Sequence, residues 1–184
     1  MMQATSVTGE TPYSATAKTL HWIIAVMVIV LIPVGFIMGD LPEGPLQDNI
    51  FNAHESFGLL LFVLMIVRFA RRLSGTPAPA QSLSPMERKL STLVHYSFYA
   101  LLFAMPVIGY FGVSAYGEGP SFFGLKLPAL LAKDEKFADK IFWVHWAGGV
   151  LISALFVLHV GGAAMHAWVK RDGVMQRMLP NRAS

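Results

Sequence analysis

The chain has no cysteine, and that absence removes several chemistries at once. Disulfides, thiolate-held iron–sulfur clusters and cysteine-ligated zinc are all excluded. So is the C-x-x-C-H attachment of c-type haem, which means that any haem is held without a covalent link. Charge is also scarce. Only 14% of the 184 residues are Asp, Glu, Lys or Arg, where soluble domains carry about 25%. Internal repeats and low-complexity tracts are missing. The polar stretch ahead of His21 lacks the order of a signal peptide, so the first apolar stretch is expected to be retained.

What the sequence has in excess is apolar residues, at 54%. No soluble core of this size needs so many, so a bilayer is the expected solvent. The excess falls into four segments, 19–38, 53–73, 90–113 and 141–169. Each can cross ~30 Å of hydrocarbon as a helix rising ~1.5 Å per residue. None shows the sustained alternation of a membrane strand. The expectation is an all-α, integral membrane four-helix bundle over 19–169, with short segments 1–18 and 170–184 outside it. The connectors carry the breakers, such as Gly39 to Pro45, Ser74 to Pro79 and Gly117 to Pro120. Ser84-Pro85-Met86-Glu87 reads as a helix start with a capping box.

Orientation follows from Lys and Arg alone. The N-terminal segment, the second connector and the C-terminus hold ten of them, against four (Lys126, Lys133, Lys136 and Lys140) on the other side. Both termini should therefore face the cytoplasm, in a multi-pass protein of a bacterial inner membrane. The net charge of +3 reflects this topology and implies no nucleic acid. Arg71 and Arg72 are expected as anchors on that side.

All six histidines lie in or at the edges of the apolar segments: His21, His54, His95, His145, His159 and His166. One such histidine is most often a hydrogen-bonded helix contact. Six at different depths call for more, because intramembrane ionisable groups are costly and face the bundle interior with a partner. His145 and His159 are almost four turns apart, on one face and ~21 Å along the axis. By depth, His54 matches His145 at the outer level and His21 matches His159 at the inner. Two levels of facing histidines are the pattern of a bis-histidine di-haem bundle, so two haem b groups are expected. By depth alone, His95 or His166 could replace a member of the inner pair. Zinc, copper and di-iron sites fit worse, for want of convergent carboxylates or sulfur. Gly58, Gly148, Gly149, Gly161 and Gly162 suit either close approach of a flat macrocycle or plain helix packing. Trp22, Trp143, Trp146 and Trp168 suit an aromatic belt.

Several pieces together resemble the bacterial cytochrome b561 family, particularly its small superoxide oxidase members. They are Tyr13-Ser14 ahead of His21-Trp22, His54-x-x-x-Gly58 with Arg68 after it, and His95. Ala104-Met105-Pro106-Val107-Ile108-Gly109 follows, then His145, His159 and His166, and the tail Arg177-Met178-Leu179-Pro180. The resemblance implies axial ligands at His21, His54, His145 and His159, and a ubiquinone site. It implies that electrons from superoxide at the outer face pass through the haems to ubiquinone. The acidic balance of the outer connectors departs from what an anionic substrate prefers, unless Lys133, Lys136 and Lys140 cluster at the mouth. The alternative is a cytochrome subunit taking electrons from a partner dehydrogenase or hydrogenase. A helical scaffold with structural histidines is the third reading. Arg68 shares the face of His54 and should point inward, towards a haem propionate or a quinone oxygen. The quinone is expected on the inner side, near His95, His166 and Trp168, where a histidine can donate a hydrogen bond and a proton.

Overall fold

The computed structural model describes residues 11–75 and 77–179. Residues 1–10 and 180–184 of the expected flanking segments lie outside these, including Arg182 of the charge count and Pro180 of the tail motif. Four long helices dominate: α1 (Ala15–Ile37), α2 (Pro45–Leu73), α3 (Pro85–Ala115) and α4 (Glu135–Ala164). All four are long and apolar enough to cross a membrane. Each packs on the next, and α1 also touches α4, so the helices run up and down around a closed ring. The fold is the all-α membrane four-helix bundle expected.

Local chemistry sets the helix starts. Ser14 caps α1 by accepting from the Ala17 N–H at 3.3 Å, and Asp134 caps α4 by accepting from the Phe137 N–H at 3.0 Å. The capping box of α3 is formed in both directions, Glu87 N–H to Ser84 Oγ at 3.3 Å and Ser84 N–H to Glu87 Oε2 at 2.9 Å. α2 begins at Pro45, well ahead of the apolar run at 53. Proline fits the first helical position because its φ is pre-set and no N–H is wasted. The Gln47 amide then ties the preceding loop down, donating to the carbonyls of Met38 and Leu41.

The third connector contains a small hairpin that the apolar pattern did not announce. β1 (Ser121–Phe122) pairs antiparallel with β2 (Leu125–Lys126). Phe123 and Gly124 between them have φ of 49° and 88°, the left-handed values of a type I′ turn. The hairpin is fastened to α2: Ser121 N–H donates to Glu55 Oε2 at 2.7 Å, and Phe123 N–H to Ser56 Oγ at 2.8 Å. This side of the bundle is called the hairpin end below.

At the opposite, terminal end, the C-terminal segment folds back over the start of α1. Trp22 Nε1 donates to the Met178 carbonyl at 3.0 Å. The buried Arg177 donates to the carbonyls of Thr11 (3.0 Å) and Ala78 (2.7 Å). Lys170 pairs with Glu87. Midway between the two ends, Ile24, Val28, Leu61, Met65, Leu102 and Ile152 form the buried core. Many large apolar side chains point outwards instead, Val30, Val63, Leu93 and Val157 among them, as lipid contact requires.

Candidate functional site: two levels of paired histidines

At the hairpin end, His54 of α2 and His145 of α4 face each other. Their ring centres are 6.3 Å apart and their planes inclined by 70°. α2 and α4 stand opposite each other in the ring, so the two imidazoles meet across its centre. At the terminal end, His21 of α1 and His159 of α4 lie 6.2 Å apart at 62°. His95 of α3 stands on the other side of His159 at 5.2 Å, with Phe98 at 5.7 Å. On every helix the core residues fall between the two levels, so an apolar layer separates the sites.

The spacing can be tested against a metal. Imidazoles bound on opposite sides of one ion, with bonds of ~2.0–2.1 Å, have ring centres ~6.3 Å apart. His54–His145 and His21–His159 both match; His95–His159 is too close. Among the described residues no three His, Asp or Glu gather around a common point, so zinc lacks its further protein ligands. A porphyrin brings four nitrogens of its own and needs only the two imidazoles. His54 Nδ1 and His145 Nδ1 are buried with no hydrogen-bond partner.

The glycines divide into two groups. A Cβ at Gly58, Gly161 or Gly162 would meet nothing within 4 Å, so none of the three exists to let another helix approach. Gly148 and Gly149 are packing positions: a Cβ there would strike the Met105 sulfur or touch the Phe36 ring. The glycines that shape the hairpin-end site are two the sequence argument did not single out for this role. A Cβ at Gly35 would lie 2.9 Å from His54 Cε1, and one at Gly109 3.3 Å from His145 Cε1. Gly35 in α1 and Gly109 in α3 are therefore the floors on which these rings rest.

Arg68 does point inward. Its Nη2 lies 3.3 Å from His21 Nδ1 and its Nη1 donates to the Ala17 carbonyl at 3.3 Å. A guanidinium can only donate, so His21 Nδ1 accepts. His95 Nδ1 donates to the Ser91 carbonyl at 2.6 Å, which leaves its Nε2 as an acceptor. The terminal-end cluster thus comprises His21, His95, His159 and Arg68. His166 and Trp168 are not part of it. Both lie in a π-helical turn, Met165–Lys170. Trp168 is 74% exposed. Arg171, at φ 52°, turns the chain so that Asp172 reaches back to the buried His166, Oδ2 to Nδ1 at 2.7 Å. Burial works against the Asp172 charge. The hydrogen bonds from His166 and from the Val174 N–H outweigh it and hold the carboxyl below its ordinary range.

Two of the four lysines at the hairpin end are held in ion pairs. Lys126 pairs with Glu118 at 3.5 Å and Lys133 with Glu135 at 2.9 Å. A surface pocket of about 450 Å³ there is lined by Asp48, Glu55 and Glu118 against Lys126 alone.

Comparison with known proteins agrees with this architecture. The sequence pattern of prokaryotic cytochrome b561 matches residues 12–181. The chain is 31% identical over 182 residues to the cytochrome b561 homolog 2 of Escherichia coli strain K12, covering 94% of this chain and 93% of that protein. It is 26% identical over 176 residues to homolog 1 of the same organism, covering 92% and 98%. It is 28% identical over 171 residues to a probable superoxide oxidase of Yersinia pestis, covering 92% and 97%. Four membrane-crossing helices, two levels of facing imidazoles and a match along nearly the whole length lead to one conclusion: the chain belongs to the prokaryotic cytochrome b561 family, bacterial membrane cytochromes that bind haem b and transfer electrons.

Proposed function

We propose that the chain holds two b haems, one between His54 and His145 and one between His21 and His159, and acts as a superoxide:ubiquinone oxidoreductase. The observation that carries the two-haem reading is the equal spacing of the two imidazole pairs, 6.3 Å and 6.2 Å, at two depths on one shared helix, and the superoxide donor is proposed from the likeness to the probable superoxide oxidase of Yersinia pestis. Haem supplies one-electron redox chemistry, which suits a one-electron donor and a two-electron acceptor. The chain's residues supply ligation, separation by the apolar layer, and protons at the terminal end. With that end on the cytoplasmic side, ubiquinone would be reduced near His95, which stands beside His159. His166, tied to Asp172, and the exposed Trp168 lie on the turn after α4 at the same end and would border the quinone.

The test uses purified protein with no other subunit. Superoxide generated in the assay should reduce both haems, and added ubiquinone should reoxidise them. Haems that stay oxidised under superoxide yet accept electrons from a dehydrogenase would favour the second reading, a cytochrome subunit fed by a partner. The acidic lining of the hairpin-end pocket is the specific feature that favours that second reading, since it would repel an anion.

Arg68 gives a second test. Iron at His21 Nε2 would leave Nδ1 protonated, a donor facing a donor. The guanidinium must then release His21 and becomes free for a propionate or a quinone oxygen. An Arg68→Gln variant is expected to lower the midpoint potential of the terminal-end haem, since a positive charge near the iron is lost, and to slow ubiquinone reduction. Unchanged values in redox titration and quinone assay would remove Arg68 from the site.

A further inference from the structure

A cavity lies at the terminal end, and the electron-transfer reading uses only Arg68 of its wall. Its volume is about 640 Å³, and its wall includes Arg68, Arg71, Arg72, Tyr13, Tyr99 and Met178. Three guanidiniums thus border one space, and no Asp or Glu among the described residues lines it. Positive-inside anchors usually extend singly into water. Arg72 does not: its guanidinium lies over the rings of Tyr96 and Tyr99, 5.2 Å and 5.5 Å from their centres. Such stacking fixes the direction of its donors at little entropic cost.

We propose that this cavity binds the phosphate headgroup of an anionic phospholipid from the leaflet at the terminal end. Guanidiniums recognise phosphate oxygens through paired N–H donors. Basic recesses between membrane helices on the cytoplasmic side are suited to such headgroups. Size separates a lipid from a free ion. The cavity has room for about twenty waters at ~30 Å³ each, far more than a lone phosphate fills. Its apolar wall at Leu20, Pro77 and Met178 suits the glycerol and upper acyl carbons. The site stands beside the terminal-end histidines but does not depend on the electron-transfer reading, because Arg71 and Arg72 contact none of the paired imidazoles.

The experiment is native mass spectrometry of the full-length, haem-loaded protein in detergent. It is titrated separately with cardiolipin, phosphatidylglycerol, phosphatidylcholine and inorganic phosphate. The wild type should retain cardiolipin or phosphatidylglycerol in preference to phosphatidylcholine. An Arg71→Gln/Arg72→Gln double variant should bind the anionic lipid roughly 30-fold more weakly, about fivefold for each arginine. Arg88→Gln, outside the cavity, should behave as wild type. Equal binding of zwitterionic lipid, or unchanged affinity in the double variant, would overturn the proposal. Displacement of the lipid by millimolar inorganic phosphate would assign the cavity to the free ion and overturn the lipid. Loss of a haem from the double variant with the lipid retained would assign the arginines to the haem site, with the same result. If the double variant does not fold, the lipid preference of the wild type and the single Arg71→Gln variant decide.

Discussion

Alanine at His54 or at His145 is expected to leave the purified protein with one haem per chain in place of two. The hairpin-end pair has no substitute, because the remaining histidines lie at the other level, ~21 Å away along α4. The apolar layer around Leu61, Met65, Leu102 and Ile152 separates the two levels, so the terminal-end haem should keep its spectrum. A pyridine haemochrome assay with protein quantification reads the stoichiometry directly. Two haems per chain with unaltered low-spin bands in either variant would show that the pairing is wrong. The corresponding change at His95 should leave both haems in place. Loss of one there would shift the terminal-end ligand from His21 or His159 to His95.

Alanine at Gly35 should damage the same site from the neighbouring helix. An added Cβ would sit 2.9 Å from His54 Cε1, closer than real side chains pack. A free imidazole could swing aside, but a ring held between a metal and α1 cannot without stretching its bond. Overpacking of this kind costs about 1–3 kcal/mol, which corresponds to roughly 5- to 150-fold weaker hold on the haem. Gly109→Ala, whose Cβ would be 3.3 Å from His145, should have the same effect in milder form. Gly58→Ala is the control, since nothing lies within 4 Å of the added atom. Haem retention on dilution and the high-spin fraction in the absorption spectrum measure the difference. If Gly35→Ala and Gly58→Ala behave alike, His54 is not pressed against α1 in the loaded protein.

These two glycines mark where reading the sequence stops. The spans, the cap at Ser84 and the common face of His145 and His159 follow from composition and from the 3.6-residue period, both local properties. Which glycine lies under which imidazole depends on the rotation of each helix about its axis, and packing among all four sets that rotation. For the same reason Gly58 and Gly148 look equivalent in the sequence, yet one faces open space and the other the Met105 sulfur. The hairpin at Ser121 was hidden because each strand has only two residues, too few for alternation to register. Its anchor, Glu55, sits beside His54 in the sequence and nothing local ties it to Ser121 in the third connector. The tie between His166 and Asp172 was hidden by the left-handed turn at Arg171, a conformation that non-glycine residues rarely adopt. The inward direction of Arg68, by contrast, could be read from its spacing to His54, because both lie on one uninterrupted helix.

Each facing histidine pair takes one member from α4, the last of the four long helices. On the proposed pairing, a chain with only α1, α2 and α3 in the bilayer therefore offers His54 without His145 at one level, and His21 and His95 without His159 at the other. If those pairs hold the haems, loading waits for α4, so that membrane insertion of the first three helices precedes haem capture. The ends of the chain obey the same order. The Tyr13 N–H donates to the Arg177 carbonyl at 3.3 Å, a contact that forms only after all four long helices have been made. A truncated product would be inserted in the membrane but unable to hold haem between paired histidines, and so would add no stray redox centre to it.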